Sequence, residues 1–160
     1  CIITPLKNNK KSHINKDKNL WKSIGSNVEI MSPQRHDRVM AITSHLPHLI
    51  AYNIVSTAAD LESVTKSDII KYSASGFRDF TRIASSDPTM WRDIFLNNKE
   101  AVLEMISRFT EDLSALQKSI RWEDGKSLHK LFSKTRKVRD KIISAGQDTV
   151  DADFGRSKKR

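Results

Sequence analysis

The chain has 160 residues, 38% of them hydrophobic and 29% charged, and its scarce glycine (5) and proline (4) favour one domain of long helices over a turn-rich β fold. No apolar run reaches the roughly eighteen residues of a membrane span, Ile2, Ile3 and Leu6 are too brief a stretch for a signal peptide, and Cys1 as sole cysteine excludes an intrachain disulfide, which together give a cytoplasmic reading. The formal charge of +9 points towards nucleic acid, but residues 1–18 and 156–160 each hold a net +4 and leave 19–155 at +1, so the basic ends read as solvated tails on a nearly neutral body.

Cys1-Ile2-Ile3-Thr4-Pro5 reads as one short buried strand stopped by proline. A lone strand cannot bury itself, so it is expected to be the last strand of a sheet that is missing here. Lys7 to Lys18 is polar and basic without periodicity and reads as a loop. Asn19 to Ile24 is a short amphipathic helix ended by Gly25, and Val28 to Met31 alternates like a brief strand.

Ser32-Pro33 combines a cap residue with proline at the first helical position. The helix it starts runs to about Leu61, with Val39, Ile42, Leu46, Leu49, Ile50, Ile54 and Ala58 recurring at three or four. Pro47 inside it predicts a kink that releases the carbonyl of Thr43 or Ser44 to another partner. Ser67 to Tyr72 reads as a short helix, and Ser73 to Gly76 loosens the chain before Phe77 to Ala84. Asp87-Pro88 starts a helix through Phe95, and Asn98 to Lys118 is amphipathic until Asp124-Gly125 breaks it. Leu128, Leu131, Phe132, Val138 and Ile142 mark a last helix, and 145–160 is expected to fray or be disordered.

Two clusters put polar groups where a helical core prefers apolar ones. In Ser44-His45-Leu46-Pro47-His48 the two histidines are three apart and share a helix face. They fit a satisfied core or interface pair, a metal pair lacking a third ligand motif, or a site for an anion or hydroxyl with Ser44. In Gly76-Phe77-Arg78-Asp79-Phe80-Thr81-Arg82, Arg82 lies among Phe80, Ile83 and Ala84. Its guanidinium fits either an ordinary helix pair with Asp79 or a ligand carboxylate held in two parallel hydrogen bonds. Trp91, on an amphipathic helix, fits the core as well as a site.

Four motifs stand in a fixed order: His36-Asp37, Ser44 to His48, Gly76 to Ala84, and Ser86-Asp87-Pro88-Thr89-Met90-Trp91-Arg92-Asp93-Ile94. In order and spacing the run from Ser32 to Leu96 resembles the C-terminal domain of the prephenate dehydrogenase family, less distinctly as far as Ile143. Cys1 to Pro5 also resembles that family's strand at the end of its dinucleotide-binding domain. Ser75 stands where glycine is common in the family.

The resemblance implies an NAD- or NADP-dependent oxidative decarboxylation of prephenate or arogenate in tyrosine biosynthesis. The C-terminal helices then supply a substrate cradle and the interface of a homodimer. Carried over, Arg82 clamps a substrate carboxylate, and His48 and Ser44 touch substrate polar atoms. Asp79 and His45 orient that shell, Trp91 lines it, and Asp37 pairs with a basic group. No G-x-G-x-x-G loop and no His-Pro-x-x-Gly stretch occur in the chain. No cofactor, metal or catalytic residue is therefore assigned to it, and it is expected to be inactive alone, either working with a separate Rossmann-domain chain or standing as a remnant or fragment. The sequence thus predicts an all-α fold with one orphan strand: 1–18 as the end of a nucleotide-binding domain, 19–144 as the helical domain, 145–160 as a basic tail. The contrasting reading is a helical binding or dimerisation module without catalysis, its basic ends on nucleic acid.

Overall fold

A computed structural model describes residues 1–66, 68 and 71–146. The chain forms two compact units, Cys1–Ile106 and a second beginning at Ser107. The fold is all-α, with one two-stranded sheet.

In the first unit β1 (Ile2–Ile3) does not stand alone. It pairs in parallel with β2 (Glu29–Ile30), Ile2 opposite Glu29 and Ile3 opposite Ile30. The crossover between them is α1 (Lys11–Ser23), which begins inside the stretch expected to be a loop. That expectation is corrected: only Ile14 and the stem of Lys18 face inward on its first turns, and an aliphatic lysine stem does not register as an apolar position. Gly25 ends α1 as expected. Its φ of 86° is left-handed, Gly25 N–H donates to Lys22 O, and Ser26 N–H donates to Trp21 O.

The long helix predicted from Ser32 is three segments. Ser32 Oγ accepts from Arg35 N–H and Pro33 opens α2 (Pro33–Met40). A wider i→i+5 turn follows over Ala41–His45, and α3 (Leu46–Thr65) continues from it. Pro47 explains the turn: it cannot donate to Thr43 O, and its ring would press on that carbonyl. The helix expected over Ser67–Tyr72 lies largely outside the described residues, as does the tail from 147 onward.

α4 (Ser75–Thr81) tightens into a 3-10 turn over Arg82–Ser85. Asp87 then caps α5 (Pro88–Asn97), accepting from Met90 N–H at 2.7 Å. Helix α6 (Lys99–Arg121) brings Ala101 and Val102 against Ala41, and Phe95, Met105 and Ile106 close over this cluster. Ala41 is fully buried, at the first residue of the wide turn.

The second unit holds the rest of α6 and α7 (Gly125–Ser144). The break between the helices falls where the sequence placed it, but glycine does not make the turn. The left-handed residue is Glu123, with φ 54°, and Gly125 is already the first residue of α7. Asp124 caps that helix through Ser127 N–H at 3.0 Å.

Candidate functional site

The wide turn and the start of α3 carry Ser44, His45 and His48 on the side that meets α5. Trp91 of α5, 6% exposed, sits between the two imidazoles. The His48 ring stacks on it with centroids 3.7 Å apart and planes 21° apart. His45 meets it edge-on at 6.2 Å, and Phe95 lies tilted at 5.5 Å, one turn along α5. The structure therefore brings Trp91, which the sequence singled out separately, to the His45–His48 pair.

Ser44 takes part through its backbone. His48 Nδ1 lies 2.9 Å from Ser44 O. A carbonyl only accepts, so Nδ1 carries the hydrogen and Nε2 of the neutral ring is a bare acceptor. Ser44 O is one of the two carbonyls expected to take another partner near Pro47, and that partner is the ring one turn ahead. Pinning the ring there also sets the plane in which it stacks on Trp91.

Arg82 heads the 3-10 turn that packs on α3 and is exposed rather than set among apolar neighbours. Among the described residues it makes no ion pair with Asp79. Asp79 keeps Oδ2 buried without a hydrogen-bond partner, and so does Trp91 its Nε1. The 3-10 turn is itself anchored: Tyr52, one turn beyond His48, donates its hydroxyl to Ser86 O at 2.7 Å.

Asn98 and Tyr52 were missed by sequence reasoning. Asn98, between α5 and α6, places Nδ2 2.9 Å from Asp37 O and 3.2 Å from His45 Nδ1. Asp37 lies 3.0 Å from His36 Nδ1, the basic neighbour expected for it. Burial holds the His45 pKa below the usual 6.5, aided by His36 and His48 and opposed by Asp37. No group of three or more His, Cys, Asp or Glu among the described residues is arranged to hold an ion. Nor is any helix among them long and apolar enough to cross a membrane.

Residues 32–134 match the family described as prephenate dehydrogenase, dimerization domain. The chain is 41% identical over 119 residues to a cyclohexadienyl dehydrogenase of Zymomonas mobilis, covering 74% of this chain and 41% of that protein. It is 34% identical over 139 residues to the Bacillus subtilis prephenate dehydrogenase, covering 87% and 37%. Among solved structures, prephenate dehydrogenase of Aquifex aeolicus in complex with hydroxyphenyl propionate and NAD+ superposes with a TM-score of 0.83 at 41% identity, over 88% of this chain and 49% of that one. A Synechocystis arogenate dehydrogenase shares the fold, at 0.76 and 22% identity, over 89% and 51%. The chain thus spans about two fifths of the length of the curated relatives it matches. By this match over most of its length, and with its four motifs in the helical domain, the chain belongs to the prephenate dehydrogenase family and carries its dimerization domain.

Proposed function

We propose that the surface around His48 and Trp91 is the substrate-facing wall of an NAD- or NADP-dependent dehydrogenase acting on prephenate or arogenate. The observation that carries this reading is the stacked His48–Trp91 pair, in which each ring retains a nitrogen without a partner among the described residues. Arg82 is the group to grip a substrate carboxylate, since its fork is exposed and unpaired there. Ser44 and His48 take substrate polar atoms, His45 and Asp79 orient them, and Trp91 supplies an apolar wall behind them.

The reaction needs a nicotinamide held against the substrate, and positioning is the protein's part of that chemistry. No residue of this chain is assigned to the cofactor. The cofactor site is assigned to a nucleotide-binding domain outside these residues, on this or a separate chain. The chain alone is accordingly read as inactive, in a cytoplasmic setting.

The same reading makes the chain one half of a homodimer. Leu113, Leu116, Ile120 and Phe132 line an apolar groove in the second unit, with Phe132 58% exposed. A face of that kind fits a second copy.

Calorimetric titration of hydroxyphenyl propionate into the chain tests the site. Saturable binding that weakens at least tenfold in Arg82→Ala is expected. Binding that is absent, or indifferent to Arg82, would remove the proposal.

A further inference from the structure

We propose that Asn98 is a positioning residue that holds His45 with Nδ1 bare and Nε2 protonated, so that His45 and His48 show opposite hydrogen-bonding polarity. This rests on reading the wall as substrate-facing only for its consequence, not for the assignment itself.

The argument begins with Asp37 O, 2.9 Å from Asn98 Nδ2. A carbonyl accepts only, so this contact decides which end of the Asn98 amide is nitrogen. The second hydrogen of the same nitrogen then meets His45 Nδ1 at 3.2 Å. An N–H donor requires a lone pair opposite it, so Nδ1 is bare and the hydrogen of the neutral ring is on Nε2. Local charge agrees. His36 and Asp37 of α2, His48 of α3 and Trp91 of α5 surround the ring, and burial with the two imidazoles disfavours its charged form against Asp37.

His48 is set the other way, with its hydrogen on Nδ1 towards Ser44 O. A bare His48 Nε2 accepts from a hydroxyl and repels a carboxylate. His45 Nε2–H donates to either. The rings next to Trp91 therefore suit a hydroxyl-bearing group on the His48 side, and leave a carboxylate to His45 Nε2–H or Arg82. Neither tautomer is settled by the histidines' own spacing in sequence; each is imposed by one backbone carbonyl, directly for His48 and through the Asn98 amide for His45.

The test is long-range 1H–15N correlation NMR on the uniformly labelled, ligand-free chain near neutral pH. In the unmodified chain His45 is expected as the neutral tautomer with the hydrogen on Nε2, and His48 with it on Nδ1. In Asn98→Asp an acceptor replaces the donor. The His45 hydrogen should move to Nδ1 and its titration midpoint should rise by about 1 to 3 pH units, with His48 unchanged. A His45 hydrogen on Nδ1 in the unmodified chain overturns the proposal, and so does an Asn98→Asp variant whose His45 tautomer and midpoint stay put. If that variant does not fold, the spectrum of the unmodified chain decides. A failure to bind hydroxyphenyl propionate would instead end the substrate reading and leave the tautomer result standing.

Discussion

The His48 imidazole lies flat against the Trp91 indole at 3.7 Å, while the same imidazole is tied by Nδ1 to Ser44 O at 2.9 Å. One indole thus joins the core of the first unit to its candidate site. Trp91→Ala should cost about 3–5 kcal/mol, the usual range for emptying a buried tryptophan position. Trp91→Phe keeps a ring face for His48 and should cost clearly less. Urea unfolding of the two variants checks this; equal losses would mean that a smaller ring restores neither the packing nor the stack.

Arg82 tests the site from the other end. Arg82→Lys keeps the charge and loses the two-pronged fit. In a chimera in which this chain replaces the matching stretch of the Zymomonas relative, we expect the KM for prephenate to rise about ten- to a hundredfold. A lost charge-assisted contact of about 1.5–3 kcal/mol corresponds to that range. The KM for the nicotinamide cofactor should stay within about twofold, less than 0.5 kcal/mol. A lower melting temperature with unchanged KM would assign Arg82 to structure alone.

Acid should weaken the first unit through His45. Its folded pKa lies below 6.5, so the unfolded chain binds the extra proton first. Stability is therefore intact above 6.5 and falls as the pH drops from there towards the folded pKa. His45→Asn keeps a side-chain oxygen to accept from Asn98 and removes the titration. Denaturant midpoints measured across this range should slope less steeply in the variant; parallel slopes would remove His45 as a source.

How much of this was open to the sequence depends on the range of each interaction. Ser32-Pro33 and Asp87-Pro88 were legible because a cap is made within three residues of itself, and both caps are present. His45 and His48 were legible as a pair because helical spacing puts them on one face. Asn98 was not: its partners, Asp37 and His45, are 61 and 53 residues away. The Tyr52–Ser86 bond spans 34 residues and was equally hidden. Arg82 read as set among apolar neighbours, but it opens a 3-10 turn and is exposed, which its sequence neighbours did not reveal. The wide turn before Pro47 was half visible, as a proline with no N–H to give, but its form depends on Ala41 packing against α6.

The apolar groove of the second unit predicts association. Phe132, Leu113 and Ile120 are 58%, 52% and 65% exposed. Sedimentation of the unmodified chain should show a dimer at micromolar concentration. Phe132→Glu buries a charge in that face and should weaken the dimer by tenfold or more, about 1.4 kcal/mol, with helicity unchanged. A monomer at high micromolar concentration in the unmodified chain would count against this.

The turn between α6 and α7 offers a gain in stability. Glu123 sits at φ 54°, where its N–H donates to Ile120 O and the next N–H, of Asp124, donates to Ser119 O. Glycine commonly fills that place after a helix, because a Cβ there crowds the following carbonyl at about 1–2 kcal/mol. Glu123→Gly removes that crowding but gives the unfolded chain more freedom, worth about 0.5–1 kcal/mol. The net gain should be about 0.5–1 kcal/mol, raising a melting midpoint by about 1–4 °C. Two controls separate backbone from side chain. Glu123→Ala deletes the carboxylate and keeps the Cβ, so it should give no such gain. Gly125→Ala lies in the first turn of α7, outside the left-handed region, and a Cβ there meets nothing within 4 Å. It should be tolerated or stabilising, which it would not be if Gly125 were the residue that turns the chain. A loss of stability in Glu123→Gly, or a sharp loss in Gly125→Ala, would place the left-handed residue elsewhere.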